Sequence, residues 1–416
     1  MRKVAIVGGC RTPFVKAGGA LGRASFLDLG IHVVTKAIEK LQLDVDKVDE
    51  VIFGTVLLDP RIPNAAREIV LRSGLPKRVG GHFVSNNCVT GLLAASAAVD
   101  GIVSGRISCV LAGGSESMSR PALTLHPKAE AFFLKLARSK GLMNKVRSLA
   151  AYRPRYAVPL APSPKEPSTG LTMGQHCELM AKEFNISRDL QDQIAFRSHQ
   201  TAAKAQNSGV LAEEIVPFEG VEKDNLIRPD TSLDRLGKLP AVFDRSPAGT
   251  ISAGNSSALT DGASVVCLMA EEEAKRQGKH VIAYLEAIEF AGIDPKDGLL
   301  MGPALAVPKL LKRTGIGFGE IDLFEIHEAF GAQVAANLQV WEHGWGKFPD
   351  LPRLGRIESE KINVNGGSIA IGHPFAATGG RILLSAAREL ERRNQKRALV
   401  SICAAGAMAG AALITR

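Results

Sequence analysis

Apolar runs of strand length alternate with segments of helical periodicity over residues 3–120. The runs KVAIVGG, EVIFGTV and SCVLAGGSES consist mainly of apolar and small residues, which is typical of buried strands. Between the first two lies FLDLGIHVVTKAIEKL, in which apolar positions recur every three or four residues and predict an amphipathic helix. This alternation predicts an α/β fold with a mostly parallel sheet covered by helices.

The pattern changes after residue 120, where proline, charge and broken periodicity increase. The helical segments LTMGQHCELMAKEF and SRDLQDQIAFRSHQTAAKAQ lie among irregular stretches there, and the strand pattern then resumes at GTISAGNSSALTDGASVVCLMA. Residues 276–416 repeat the rhythm of the first part. We therefore predict two like α/β halves, at 1–120 plus 248–273 and at 274–416, with an inserted loop domain at 121–247.

Composition narrows the function classes. The hydrophobic share of 45% and the mean hydropathy of +0.07 fit a soluble protein, and no apolar run is long enough to span a membrane. The opening MRKVAIVGG has too short an apolar run for a secretory signal, and the six cysteines include no close CxxC pair. These features predict a protein of a reducing compartment, the cytoplasm by default.

The net charge of +9 suggests an anionic partner, such as a nucleotide-bearing substrate or a membrane surface. Nucleic acid is not expected, because no nucleic-acid motif is present and only 5% of the residues are aromatic.

Cys88 lies in the stretch VSNNCVTGLLAASAAV, where an apolar run meets polar residues and a small-residue helix begins. A lone cysteine is often only a small buried hydrophobe. The alternative is a nucleophile, because a helix N-terminus stabilises a thiolate and would lower its pKa.

Three further stretches favour the nucleophile. EIHEAF places His327 and Glu328 where a strand meets a helix, and NVNGGSIAIGHPFAATGGR holds His373 in a glycine-rich turn. SICAAGAMAG places Cys403 at the end of a strand. Two thiols and two imidazoles therefore lie at strand ends or turns, where α/β folds gather their chemistry.

With these motifs the chain resembles the thiolases over nearly its whole length. The matching stretches are Ser85-Asn86-Asn87-Cys88 with Gly91, His327-Glu328-Ala329-Phe330, Gly372-His373-Pro374, and Cys403 before the Gly406 turn. His327, the sequence CAAG at 403–406 and the long segment 121–165 resemble the β-subunits of fatty-acid oxidation trifunctional complexes, although Ala407 replaces their second glycine. The resemblance implies a five-layered αβαβα fold of two duplicated halves with an inserted loop domain.

The resemblance also implies roles for individual residues. Cys88 would be the acylated nucleophile and His373 its base, while Cys403 would protonate the acetyl-CoA enolate and then deprotonate the incoming CoA thiol. The imidazole of His373 and a water fixed by His327 would hold the enolate oxygen. Backbone N–H groups of Cys88 and Ala405 would form a second oxyanion hole.

Substrate contacts are implied less directly. Ser257 matches a pantetheine-contacting position, and Met173 and Phe330 match pocket-lining positions, although ordinary helix capping also explains the segment around Met173. Arg228 and Lys238 are candidates for the CoA phosphates. The family pattern implies CoA and acyl-CoA as substrates, no bound cofactor or metal, a homodimer or tetramer, and a hydratase–dehydrogenase subunit as a partner.

The segment 126–160 is strongly basic and contains one acid, Glu130. Its basic residues within 128–155 are Lys128, Lys135, Arg138, Lys140, Lys145, Arg147, Arg153 and Arg155. Apolar residues are interleaved with these charges. Two interpretations remain at this point: a solvated basic helix, or a surface that meets anionic lipid or a partner subunit.

Three functions remain from the sequence. The first is a degradative 3-ketoacyl-CoA thiolase of fatty-acid β-oxidation. The second is a biosynthetic acetyl-CoA acetyltransferase, against which His327 and the long inserted segment argue. The third is a thiolase-like protein that binds lipid without turnover, against which Cys88, His373 and Cys403 argue together.

Overall fold

The computed structural model describes residues 2–150, 153, 156, 158–163 and 165–416. Internal contacts divide the chain into two compact units. The large unit comprises Met1–Val56, Asn64–Arg120 and Lys165–Arg416, and the small unit comprises Leu57–Pro63 and Pro121–Pro164. The predicted inserted domain at 121–247 is thus split, because residues 165–247 pack within the large unit.

The strands are β1 (Val4–Arg11), β2 (Val15–Lys16), β3 (Glu50–Gly54), β4 (Gly80–Val84), β5 (Cys109–Glu116), β6 (Thr260–Ala270), β7 (Ala283–Gly292), β8 (Leu323–Ile326), β9 (Arg397–Ala404) and β10 (Met408–Thr415). The helices are α1 (Phe26–Leu41), α2 (Ala65–Arg72), α3 (Thr90–Val103), α4 (Pro127–Arg138), α5 (Leu142–Ala150), α6 (Met173–Glu183), α7 (Arg188–Asn207), α8 (Leu233–Gly237), α9 (Glu271–Arg276), α10 (Pro295–Gly298), α11 (Pro303–Thr314), α12 (Gly331–His343), α13 (Ser368–Ile371) and α14 (Thr378–Arg393).

The strands are hydrogen-bonded in the order β4-β3-β5-β6-β1-β7-β10-β9-β8, and β2 pairs with β6. Among the strands of the described residues, the parallel pairs are β3–β4, β3–β5 and β8–β9, so the prediction of a mostly parallel sheet is wrong. The reason is connectivity. A tight turn joins β9 to β10, and β6 returns beside β5 from the opposite direction after the long inserted segment.

The second half repeats the topology of the first. In the first half, β6 pairs antiparallel with both β1 and β5. In the second half, β10 pairs antiparallel in the same way with β7 and β9. Strand β5 is in turn parallel to β3, and its counterpart β9 is parallel to β8. The two half-sheets are joined where Ala5 and Ile6 of β1 pair with Tyr284 and Ala283 of β7.

Helices complete five layers within the large unit. Helices α1 and α2 cover the first half-sheet, and α11 and α12 cover the outer face of the second. Helices α3 and α14 lie between the half-sheets, where their apolar side chains share one core with strands of both halves. The predicted five-layered αβαβα fold of two like halves is confirmed.

Glycines let the two central helices touch through their backbones. A Cβ on Gly91 of α3 would lie 2.7 Å from the Ala376 carbonyl oxygen and 3.0 Å from the Gly380 nitrogen. A Cβ on Gly379 would lie 2.4 Å from the Leu92 nitrogen. Because Cys88 precedes α3 and His373 precedes α14, this contact sets the spacing of the segments that carry them.

Gly91→Ala should therefore lower the free energy of unfolding by roughly 1–3 kcal/mol, since backbone atoms cannot move aside as a flexible side chain can. Urea unfolding followed by circular dichroism measures the change. Ser96→Ala on the same helix is the control and should change stability by no more than about 0.5 kcal/mol. Equal stability of Gly91→Ala and the wild type would contradict the close helix contact.

The small unit contains α4 and α5 and a pair of backbone hydrogen bonds between Thr124 and Leu160, at 3.0 and 2.7 Å. Helix α4 starts with Pro127 and buries Ala129, while most of its other side chains are exposed. Arg155 of the predicted basic segment lies outside the described residues. Across the part of the chain that the structure describes, none of the helices has the length and apolar character needed to cross a bilayer.

Candidate active site

Cys88 lies in the turn between β4 and α3, two residues before the helix begins. The Thr90 hydroxyl shapes this turn, because it accepts from the Asn86 N–H (2.8 Å) and donates to the Asn87 carbonyl (2.7 Å). Asn87 has a left-handed φ of 47°, a conformation that asparagine adopts more readily than most residues. The thiol is thereby presented at the entrance of α3.

Burial raises the pKa of the Cys88 thiol to about 12, and the negative charge of Glu116 adds to this. Hydrogen bonds from the backbone N–H groups of Ala405 and Cys88 itself act in the opposite direction but do not prevail. The expectation that the helix N-terminus lowers this pKa is therefore wrong, because desolvation outweighs the helix field. Cys88 is therefore a neutral thiol near pH 7, and the predicted role as nucleophile would require a base.

His373, the predicted base, is held by two hydroxyl groups. Its backbone N–H donates to Thr260 (3.0 Å), and its Nδ1 lies 2.6 Å from the Thr378 hydroxyl. That hydroxyl donates to the Pro374 carbonyl at 3.1 Å, so it accepts from Nδ1–H and leaves the lone pair on Nε2. Burial and the nearby Arg381 charge lower the pKa of His373 to about 3, so the ring is neutral.

His327 faces His373, with the ring centroids 4.0 Å apart. It follows β8, where its backbone N–H donates to Ser401 at 2.8 Å, and its Nδ1 lies 2.8 Å from the Ser368 hydroxyl. A proton donated by Ser368 to Nδ1 leaves the ring proton on Nε2. Burial holds the pKa of His327 well below its usual value. Within the described residues, the buried Nε2 atoms of both histidines have no hydrogen-bond partner.

Cys403 occupies the second-last position of β9 and is 1% exposed. Burial raises the pKa of Cys403 well above the usual value, and the Cys88 thiol adds to the rise. The hydrogen bond from Nδ2 of Asn87 to the Ala405 carbonyl (3.0 Å) brings the residues that follow Cys403 against the turn of Cys88. Burial raises the pKa of Cys177 in α6 well above its usual value, and Cys403 adds to the rise. Cys403 and Cys177 belong to one apolar cluster with Phe330.

Glu328 fastens the histidine-bearing segments to each other. Its carboxylate accepts hydrogen bonds from Ser198 (2.7 Å), from the Asn363 side chain (2.6 Å) and from the Ile369 N–H (3.2 Å). Burial raises the pKa of this carboxyl group. Glu328 therefore joins the segments around His327, Asn363 and Ile369 through hydrogen bonds. Its position beside His327 in the sequence does not predict this role.

The turn after Cys403 brings a backbone donor to Cys88. Residues 405–407 join β9 to β10. The Ala405 carbonyl accepts from Nδ2 of Asn87 at 3.0 Å, which sets this turn against the residue before Cys88. The Ala405 N–H acts to lower the pKa of the Cys88 thiol. Gly406 and Ala407 both have left-handed φ values, of 72° and 55°. Ala407 thus takes a conformation that favours glycine, and the turn retains its shape despite the alanine.

The predicted substrate residues are distributed unevenly. The segment of Ser257 runs along the site, because the Ser257 N–H donates to Ala329 (2.9 Å) and Leu259 pairs with His373. Phe330 is buried beside Phe243, with ring centroids 6.0 Å apart. Met173, the first residue of α6, packs against the cluster that contains Cys403.

Arg228 and Lys238 are both exposed. Arg228 contacts His199 through its backbone N–H, at 3.3 Å, and Lys238 follows α8. None of these contacts joins them to the catalytic cluster. The CoA-binding roles of all these residues stay predictions.

Sequence analysis missed the hydroxyls that orient the imidazoles. Ser368 and Thr378 stand five residues before and after His373 in the same glycine-rich stretch, so a search for hydroxyls near the histidine could have found them. Thr260 and Glu166 come from segments far away in sequence and carry no local signal.

Comparisons with known proteins agree with this arrangement. Residues 4–272 match the family model "Thiolase, N-terminal domain", and residues 279–416 match "Thiolase, C-terminal domain". The chain is 38% identical to the 3-ketoacyl-CoA thiolase of Pseudoalteromonas translucida and 39% identical to that of Photobacterium profundum. Both alignments cover 99% of this chain and 96% of the relative.

A solved structure resembles the whole chain. The crystal structure of the Bacillus anthracis acetyl-CoA acetyltransferase superimposes with a TM-score of 0.84 at 31% identity, covering 100% of this chain and 99% of that one. The matched domains, the nearly full-length relatives and the shared fold confirm the resemblance drawn from the four motifs. The chain belongs to the thiolase family.

Proposed function

We propose that this protein is a 3-ketoacyl-CoA thiolase, an acyltransferase that cleaves 3-ketoacyl-CoA with CoA during fatty-acid β-oxidation. The observation that carries the proposal is the hydrogen bond from Nδ2 of Asn87 to the Ala405 carbonyl (3.0 Å), which sets the turn of Cys88 against the turn that follows Cys403. The relatives named 3-ketoacyl-CoA thiolase, which match 99% of the chain, support the same activity.

In the first half-reaction the Cys88 sulfur attacks the keto carbon while its proton moves to Nε2 of His373. The tautomer of His373 supports this step, because the Thr378 hydroxyl holds the other ring nitrogen in its protonated form. The bond between the keto carbon and the adjacent CH₂ then breaks. Its electron pair forms the acetyl-CoA enolate, and the Cys403 thiol gives its proton to that carbon.

In the second half-reaction CoA releases the shortened acyl group. The Cys403 thiolate takes the proton of the CoA thiol, and the CoA sulfur attacks the Cys88 thioester. Cys88 leaves as a thiolate and recovers its proton from His373. We assign the Ala405 and Cys88 N–H groups to the thioester oxygen, and the Nε2 atoms of His373 and His327, the latter through a water, to the enolate oxygen.

Thiolysis of 3-ketoacyl-CoA substrates of increasing chain length, followed by release of acetyl-CoA, tests the function. We expect turnover with CoA on at least one chain length. Activity confined to condensation of two acetyl-CoA molecules would instead favour the biosynthetic acetyltransferase. Acyl-CoA binding without turnover would favour the non-catalytic alternative.

We also propose that the small unit meets anionic lipid. Lys128, Lys135, Arg138, Lys140 and Lys145 are all exposed. Large apolar side chains of the same unit are exposed beside them: Phe133, Leu134, Leu142, Met143, Val146 and Leu149. Leu142 and Met143 reach 79% and 77% exposure, a costly arrangement for a surface that meets only water. Basic and apolar side chains on short helices are typical of interfacial binding.

Changing Lys135, Arg138, Lys140 and Lys145 together to glutamine should weaken binding to anionic vesicles. Each basic residue near an anionic leaflet contributes about 1 kcal/mol, so the four together amount to as much as a roughly 1000-fold loss at low salt. Vesicle sedimentation at low and high salt measures this, because added salt screens the attraction. Thiolysis of a short substrate should change little.

A control variant carries the same charge change elsewhere on the large unit: Lys47, Lys77, Lys204 and Lys312 to glutamine. It should bind vesicles nearly as the wild type does. Failure of the wild type to bind at low salt would refute the lipid surface, and salt-sensitive capture of a hydratase–dehydrogenase subunit would assign the segment to a protein partner. Homodimer or tetramer formation and a cytoplasmic location stay proposals from the family resemblance.

A further inference from the structure

The turn at residues 405–407, here called the catalytic turn, joins β9 to β10. Both polar groups of its Ala405–Gly406 peptide unit form hydrogen bonds with side chains. The Ala405 carbonyl accepts a hydrogen bond from Nδ2 of Asn87 at 3.0 Å. The Gly406 N–H donates to Oε2 of Glu166 at 2.9 Å. Because a peptide unit is planar, fixing its oxygen and its N–H fixes its orientation. Asn87 directly precedes Cys88, so this peptide unit, and the Ala405 N–H next to it, lie against the turn that carries Cys88.

Glu166 is itself rigidly placed and only 7% exposed. Its backbone N–H donates to Leu171 and its carbonyl accepts from Gly170, both at 2.8 Å, which closes a short turn. Its second carboxylate oxygen accepts from the Ser168 hydroxyl at 3.2 Å. The carboxylate is therefore a fixed acceptor that satisfies a backbone N–H of the catalytic turn.

The catalytic turn needs such support. Gly406 and Ala407 lie in the left-handed region, and alanine disfavours that region. The Ile293 N–H holds the Ala407 carbonyl at 3.0 Å, so the end of the turn is fixed by the backbone. The peptide unit between Ala405 and Gly406 is held instead by Asn87 and Glu166. Loss of either side chain would let this unit rotate and turn the adjacent donor away from Cys88.

We propose that Glu166 is a positioning residue for acyl transfer, which holds the Ala405–Gly406 peptide so that the Ala405 N–H stays directed at the Cys88 sulfur and at the oxygen of its thioester. The inference rests on the proposed function in that acyl transfer is the reaction it serves. Glu166 is also close in the chain to Met173, because its turn closes at Leu171, the residue before Thr172, which is the N-cap of α6.

The test compares Glu166→Ala with Glu166→Gln. Removing the acceptor should lower kcat about 10- to 100-fold, as is common when a supporting group is lost, while KM stays within about twofold. Glutamine presents a carbonyl oxygen to the same N–H and should recover most of the rate. Glu222→Ala, at an exposed carboxylate, is the control and should retain wild-type kinetics.

A second measurement follows Cys88 directly. Alkylation of the Cys88 peptide by iodoacetamide, quantified by mass spectrometry from neutral to alkaline pH, should slow in Glu166→Ala because the thiolate loses an aligned donor. It should remain near the wild-type rate in Glu166→Gln. A merely structural role would lower the melting temperature without this contrast. If Glu166→Ala does not fold, Glu166→Asp, which is one methylene too short to reach, takes its place.

Wild-type kcat and alkylation in Glu166→Ala would overturn the proposal. Equal loss in Glu166→Ala and Glu166→Gln would also overturn it, because the negative charge rather than the hydrogen bond would then matter. Suppose that Cys88 alkylation is slower in Glu166→Ala than in the wild type and in Glu166→Gln, but the wild type does not cleave 3-ketoacyl-CoA. That result would refute the proposed function and leave the positioning role of Glu166 standing.

Discussion

Replacement of Cys88 by alanine is expected to abolish both thiolysis and the covalent acyl adduct, with a loss of at least roughly 10⁴-fold in kcat. The sulfur forms the thioester in both half-reactions, and a methyl group cannot replace it. The fold should survive, because Cys88 lies in a turn before α3 and is only partly buried. Intact-mass measurement after incubation with acyl-CoA detects the adduct, and acetyl-CoA release reports thiolysis.

The matched control is Cys267→Ala. Cys267 is a buried thiol in the middle of β6, outside the catalytic cluster, so its loss should leave the adduct and the turnover in place. An acyl group that persists on the Cys88→Ala protein would show that another residue is the nucleophile.

Cys403→Ser is expected to leave acylation of Cys88 largely intact while it slows cleavage and formation of the carbon–carbon bond. Acylation of Cys88 by a simple acyl-CoA reverses the second half-reaction, with His373 as the base for the Cys88 thiol. The departing CoA thiolate can take its proton from water instead of Cys403, so this reaction should remain within about tenfold of the wild type. Cleavage and condensation need a proton at the acetyl carbon, and a serine hydroxyl is too weak an acid and base for that task. These reactions should fall by the roughly 10²–10⁴-fold that a removed acid–base group costs.

Cys177→Ser provides an unusually close control. Cys177 is buried beside Cys403 in the same apolar cluster, so the substitution introduces the same hydroxyl into nearly the same surroundings. It should leave both half-reactions largely intact. Equal losses of acylation and carbon–carbon cleavage in Cys403→Ser would mean that Cys403 is structural or takes part in the first step.

Local signals determined how much of the fold could be predicted from the sequence. Helix α1 was predicted at its observed bounds, because its buried face and its Ser25–Asp28 capping box are encoded within seventeen adjacent residues. Strand direction could not be read in the same way. The antiparallel pairing of β5 with β6 depends on a connection of more than a hundred residues, and its geometry leaves no trace in local periodicity.

The same distinction applies to the candidate site: residues in local motifs could be predicted from the sequence, whereas contacts between distant segments could not. Cys88, His373 and Cys403 stand in recognisable motifs. The structure brings the two imidazoles together and sets the turn of Cys88 against the turn after Cys403. The Cys88 pKa was predicted in the wrong direction, because the helix terminus is visible in sequence whereas the burial of the sulfur is not. The bond from Gly406 to Glu166 joins residues 240 positions apart, so nothing near either residue signals it.

The backbone contact between α3 and α14 has a consequence for how the chain becomes active. Asn87 and Ala405, which meet beside the nucleophile, are 318 residues apart, and Gly91 touches the start of a helix near the end of the chain. Contacts of such sequence separation form late in folding, because the entropy of closing a long loop must be overcome first. Each half can acquire its strands and helices before the other, yet neither holds a complete catalytic centre. Enzymatic activity should therefore be the last property to return when the denatured chain refolds.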